Sequence, residues 1–98
     1  MTDKNRIIET LGKLQNFFEE HNEKGWTERT KTAIRQIQEG KTGNKSVLCD
    51  FIGAGMGGLI DLYICAENGH IMKRSETETN EQLANLQEEI LTIKNALR

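Results

Sequence analysis

The chain has no proline and only two cysteines in 98 residues, and its aromatic side chains make up just 5%. Without proline no helix carries a proline kink, and the usual proline stop signals are missing as well. Two cysteines, Cys49 and Cys65, cannot build a disulfide framework, and neither stands in a C-x-x-C pair or beside clustered histidines. Each lies in an apolar stretch, so each is expected to be a small buried hydrophobe in a reducing compartment. Long apolar runs are also lacking. The longest stretch free of charge, Phe51–Ile60, is ten residues and glycine-rich, so no membrane span is expected. The opening MTDKNRIIETLG is charged where a signal peptide needs an apolar core, which points to the cytoplasm.

What is present suits one domain, 1–98, with a single modest core. The net charge of −2 is unevenly spread: residues 25–46 carry +3 and residues 75–98 carry −3. The positive stretch holds Arg29, Lys31, Arg35, Lys41 and Lys45, which reads as a solvated helix face. Overall acidity argues against a nucleic-acid partner, because such a partner demands a basic footprint.

Apolar residues at three- and four-residue steps (Ile7, Ile8, Leu11, Leu14, Phe17, Phe18) predict an amphipathic helix from Thr2 to about Asn22, with Thr2 or Asp3 as cap and Gly25 as stop. Trp26, Thr30, Ala33, Ile34 and Ile37 predict a second helix to Glu39, ended by Gly40, and a polar loop GKTGNK. The short gap between them makes an antiparallel helical hairpin. Ser46–Ile52 is apolar and either strand or helix. Leu59–Cys65 alternates and is rich in β-branched and aromatic residues, and Asn68-Gly69 before His70-Ile71-Met72 is a hairpin signal. Ser75-x-x-Glu78 or Thr79-x-x-Gln82 can open a last helix, whose Leu83, Leu86, Ile90, Ile93 and Leu97 form a heptad stripe. That stripe is expected to pack on the helical hairpin, with a dimer seam through Leu86 and Ile93 as the other use.

The expected fold is therefore α-dominated α+β: a helical hairpin, a glycine-rich loop with a small β-hairpin, and a C-terminal amphipathic helix. Periodicity places Ile8, Leu11, Leu14, Phe18, Ile34, Ile37, Leu83, Ile90 and Leu97 in its core.

Gly53-x-Gly55-x-x-Gly58 satisfies a dinucleotide fingerprint, and VLCDFIGAGMGGL resembles the opening strand and loop of flavin- and NAD-binding Rossmann proteins. The resemblance implies a first strand at Val47–Ile52, a pyrophosphate on the amides of Gly55–Gly58 and a ribose on Glu76. Against it stand a following segment that is β-rich, with Asp61 where small apolar residues are needed, and too little chain for a parallel sheet. Gly40-Lys41-Thr42 is likewise no P-loop, since Arg35 stands where its first glycine belongs. No cofactor is expected.

The block GMGGLIDLYICAENGHIM, followed by Asn80-Glu81-Gln82-Leu83, is similar to a family of small bacterial proteins whose shared core reads Gly-Met-Gly-Ser-Leu-Asn-Asp-Leu, then an apolar run, Asn-Gly and Asn-x-x-Leu. Gly55, Met56, Gly57, Leu59, Asp61, Leu62, Asn68, Gly69, Asn80 and Leu83 match, while Gly58 replaces the serine and Ile60 the asparagine. The resemblance spans roughly Trp26 to the C-terminus. It implies a mostly helical fold with a small β element and carries no activity.

Candidate ligand-binding residues are Gly55, Gly57, Gly58, Asp61 and His70. Asp61 beside the glycine loop can accept loop amides and fix the turn, or serve as an acid in a small enzyme. His70 follows the turn and is expected to be exposed rather than a base. His21 and His70 are too few and too far apart for zinc. Nothing here demands catalysis. The function expected is a non-catalytic module that binds a protein partner or a second copy of itself. The alternatives are a dinucleotide- or phosphate-binding domain on Gly53–Gly58 and an enzyme centred on Asp61.

Overall fold

The computed structural model describes residues 3–53, 59 and 76–97, and among them every regular element is a helix. Helix α1 runs Asp3–Glu20, α2 Lys24–Glu39, α3 Asn44–Ile52 and α4 Glu76–Ala96. The α+β expectation is corrected accordingly: the described residues are all-helical and contain no strand. The segments assigned to the β-hairpin lie outside the described residues except Leu59, which is fully buried.

Helix α1 ends on a Schellman motif. Asn22 takes the left-handed conformation at φ 59°, its amide donates to the carbonyl of Glu19 at 3.3 Å, and the Glu23 amide donates to that of Phe18 at 2.9 Å. The stop is therefore Asn22, three residues before the expected Gly25. A short polar side chain tolerates the left-handed region well enough to end a helix. Gly25 lies inside the first turn of α2 instead. Gly40 closes α2 as expected, with φ 69° and its amide on the Gln36 carbonyl at 3.2 Å.

Val47–Ile52 resolves to helix. Val47, Leu48, Phe51 and Ile52 are buried, a spacing that makes one face of a short helix and leaves Cys49 and Asp50 outside. Cys49, expected to be buried, is exposed for that reason. Cys65 lies outside the described residues.

Helix α1 packs against α2 and α4, and α3 packs against the same two, so α2 and α4 sit diagonally across the bundle. The core joins Ile7, Leu11, Leu14, Phe17 and Phe18 of α1 to Ile37 of α2, Leu48 of α3 and Ile90 of α4. Leu11, Leu14, Phe18, Ile37, Leu83 and Ile90 are buried as expected. Ile8, Ile34 and Leu97 are partly buried at its margin. Burying side chains of this size contributes about 1.5–3 kcal/mol each. Across the α1–α4 seam, the buried Thr10 hydroxyl donates to Glu89 Oε1 at 3.0 Å, and Lys13 Nζ reaches the same oxygen at 3.3 Å.

Candidate functional site: the groove between α2 and α3

A groove of about 370 Å³ runs along α2 and α3. Gly25, Glu28, Arg29, Thr32, Ala33 and Gln36 form the α2 wall, one stripe at helical spacing, and Val47, Asp50 and Phe51 form the other.

At one end sits Arg29. Its guanidinium lies 4.2 Å from the centre of the Trp26 ring, one turn earlier on the same helix face. Its Nη2 donates to the carbonyls of Asp50 and Phe51, each at 3.1 Å. Those two carbonyls belong to the last turn of α3, whose oxygens have no intrahelical donor. The Gly53 amide takes the Cys49 carbonyl at 3.0 Å, so Arg29 and Gly53 together cap α3. A cation at a helix C-terminus also opposes the negative pole there.

An aromatic chain backs the groove. Trp26 meets Phe51 edge-on at 5.9 Å and Phe18 at 5.8 Å. Phe17 lies next to Phe18, and its other face holds the buried His21 ring at 4.4 Å. His21 Nδ1 is 2.7 Å from the Phe17 carbonyl. A carbonyl can only accept, so this nitrogen carries the proton and donates.

Sequence reasoning counted Arg29 only as one charge of a solvated stretch and Trp26 only as core. Trp26-x-x-Arg29 was the available signal, because residues three apart on a helix are neighbours. Contact with Phe51 had no such local sign.

The residues singled out from the sequence fall elsewhere. Gly55, Gly57, Gly58, Asp61 and His70 lie outside the described residues. Gly53 is exposed and caps α3 at φ 76°. What precedes the glycine motif is thus helix α3 rather than the strand a dinucleotide loop requires, and its negative pole lies at Gly53. Leu59, the residue after the motif, is buried, and its carbonyl accepts a 2.6 Å bond from Gln87 Nε2 on α4. Leu86 and Ile93 lie in the chain's own core, at 9% and 3% exposure. Leu83, Leu86, Ile90 and Ile93 of the heptad stripe thus pack inside the chain.

The chain matches no protein-family model, no curated protein and no solved structure. Among the described residues, no three His, Cys, Asp or Glu are grouped to hold a metal ion. No helix among them is long and apolar enough to cross a membrane.

Proposed function

We propose that the chain is a non-catalytic protein-interaction module and that the α2–α3 groove is its docking face. The observation that carries this reading is Arg29, stacked on Trp26 and tied to Asp50 and Phe51 at the mouth of an open groove. Tryptophan and arginine dominate the energetics of protein interfaces. Here Arg29 is already held in place by the buried Trp26 ring and by α3, so a partner loses less entropy in ordering it. The guanidinium has five N–H donors, of which Nη2 supplies the two bonds to α3, and the rest suit a partner's carboxylate or carbonyls. The family resemblance of the Gly55–Leu62 block belongs to the same proposal and adds no activity to it.

Thr32 is exposed on the groove wall and takes no part in the core, so Thr32→Arg fills the groove without touching the fold. Affinity capture from the source cells should retain a protein on the native chain. Binding of that protein, once purified, should weaken at least about tenfold on Thr32→Arg. Equal capture by both forms, together with no self-association, would end this reading.

A further inference from the structure

We propose that the occupant of the α2–α3 groove is the carboxyl-terminal end of a partner polypeptide whose last side chain is apolar. The proposal rests on the groove being an interaction face and names what enters it.

Charge is the first argument. The groove is lined by three charged side chains, Glu28, Arg29 and Asp50. Glu28 is engaged, since its Oε1 lies 3.6 Å from Lys31 Nζ. Arg29 binds the Asp50 carbonyl, yet neither Arg29 nor the Asp50 carboxylate forms an ion pair among the described residues. A fixed cation and a carboxylate thus share one end of the groove, each short of a counter-ion. An acidic segment laid there would meet Glu28 and Asp50, and a basic one would meet Arg29. Like charges brought together oppose binding, so neither segment suits.

The last residue of a polypeptide has the matching polarity, because its carboxylate and its backbone N–H hang from the same Cα. Nη2 of Arg29 gives its bonds to α3, and the Nε and Nη1 side of the fork receives the terminal carboxylate. The N–H goes to the Asp50 carboxylate, on the side where the negative pole of α3 also favours a donor. Capture of a chain terminus is a recurring mode of peptide recognition.

Shape is the second argument. Away from the charges the floor of the groove is Ala33, Val47 and Phe51, all apolar and buried in the fold. That floor receives an apolar side chain. At about 370 Å³ the groove is at the small end of ligand sites, which suits a short chain end better than a whole helix.

The protein's single tryptophan, Trp26, lies against the Arg29 guanidinium, so its fluorescence reports on the site. The test titrates the full chain with N-acetyl-leucine, with its amide and with free leucine. N-acetyl-leucine should shift the emission saturably, with an affinity on the order of 1 mM for so small a ligand. The amide lacks the carboxylate and should bind at least about tenfold more weakly. Arg29→Lys keeps the charge, loses the fork and should weaken binding by about tenfold. Because Arg29 also caps α3, two variants at exposed positions accompany it, with folding checked by circular dichroism. Asp50→Ala should weaken binding by about threefold or more, and Thr32→Arg should abolish it.

No saturable shift up to about 10 mM overturns the proposal, as do equal binding of acid and amide and binding that survives Thr32→Arg. Free leucine binding tenfold tighter than N-acetyl-leucine would assign the groove to a free amino acid instead. If N-acetyl-leucine does not bind while Thr32→Arg still blocks capture of a protein, the groove remains an interface and the chain end is the wrong occupant. If both experiments fail, the groove is not an interface.

Discussion

Arg29 of α2 donates from Nη2 to the carbonyl of Phe51, the penultimate residue of α3, at 3.1 Å. The two residues are 22 apart in the chain. Helix α3 has nine residues, too few to stand alone in water, and it persists because tertiary partners complete it. Arg29 is the partner at its C-terminus, and Phe51 itself closes on Trp26 from the apolar side. One arginine thus joins two helices and shapes the mouth of the groove between them.

Arg29→Met keeps much of the side chain's apolar bulk and removes the donors. It should cost about 1–2 kcal/mol in denaturant unfolding, the range for hydrogen bonds from a charged group discounted for partial exposure. Amides of Val47–Gly53 should exchange faster with solvent than those of α1. Unchanged exchange in α3 would show that Arg29 does not cap it.

Asn22 holds a left-handed conformation at the end of α1. Glycine adopts it without cost, so Asn22→Gly should match or exceed native stability by up to about 1 kcal/mol. Asn22→Val should lose about 1–2 kcal/mol, because a β-branched side chain clashes there. Thermal melts of the three proteins give the order directly. Valine performing as well as glycine would contradict the Schellman geometry.

Thr79 lies inside the first turns of α4, with its hydroxyl fully buried and without a hydrogen-bond partner among the described residues. Its expected role in a capping box is therefore not the one it plays, since Glu76 already begins the helix. Thr79→Val keeps the shape and removes the unsatisfied hydroxyl, and should stabilise the chain by about 1 kcal/mol. Lower stability in the same melt would mean that the hydroxyl is satisfied in the folded protein.

Helices α1, α2 and α4 were legible because their apolar residues repeat over sixteen or more positions, long enough to separate a helical period from alternation. Gly40 was legible as a stop because glycine is the residue that enters the left-handed region most freely. Asn22 was not, since asparagine serves many other turns equally well. The β-hairpin expectation leaned on composition at Leu59–Cys65 and the Asn68-Gly69 pair. Such local preference is weak evidence for a strand, and apart from Leu59 those residues lie outside the described ones, whose regular elements are all helices.

The candidate site divides the same way. Local pattern marked the glycine motif, whose spacing can be read without any fold, yet the element ahead of it is a helix that ends there. Arg29 and Phe51 carry no mark of each other in the chain. By itself the amino-acid order determined the three long helices, their buried faces and the opposite charges of residues 25–46 and 75–98, because periodicity and charge are local properties. Only the tertiary structure decided that Val47–Ile52 is helical and that α2 and α3 enclose a groove with Arg29 at its mouth. Nine residues do not carry enough local preference to choose a conformation, so the choice falls to whatever they pack against.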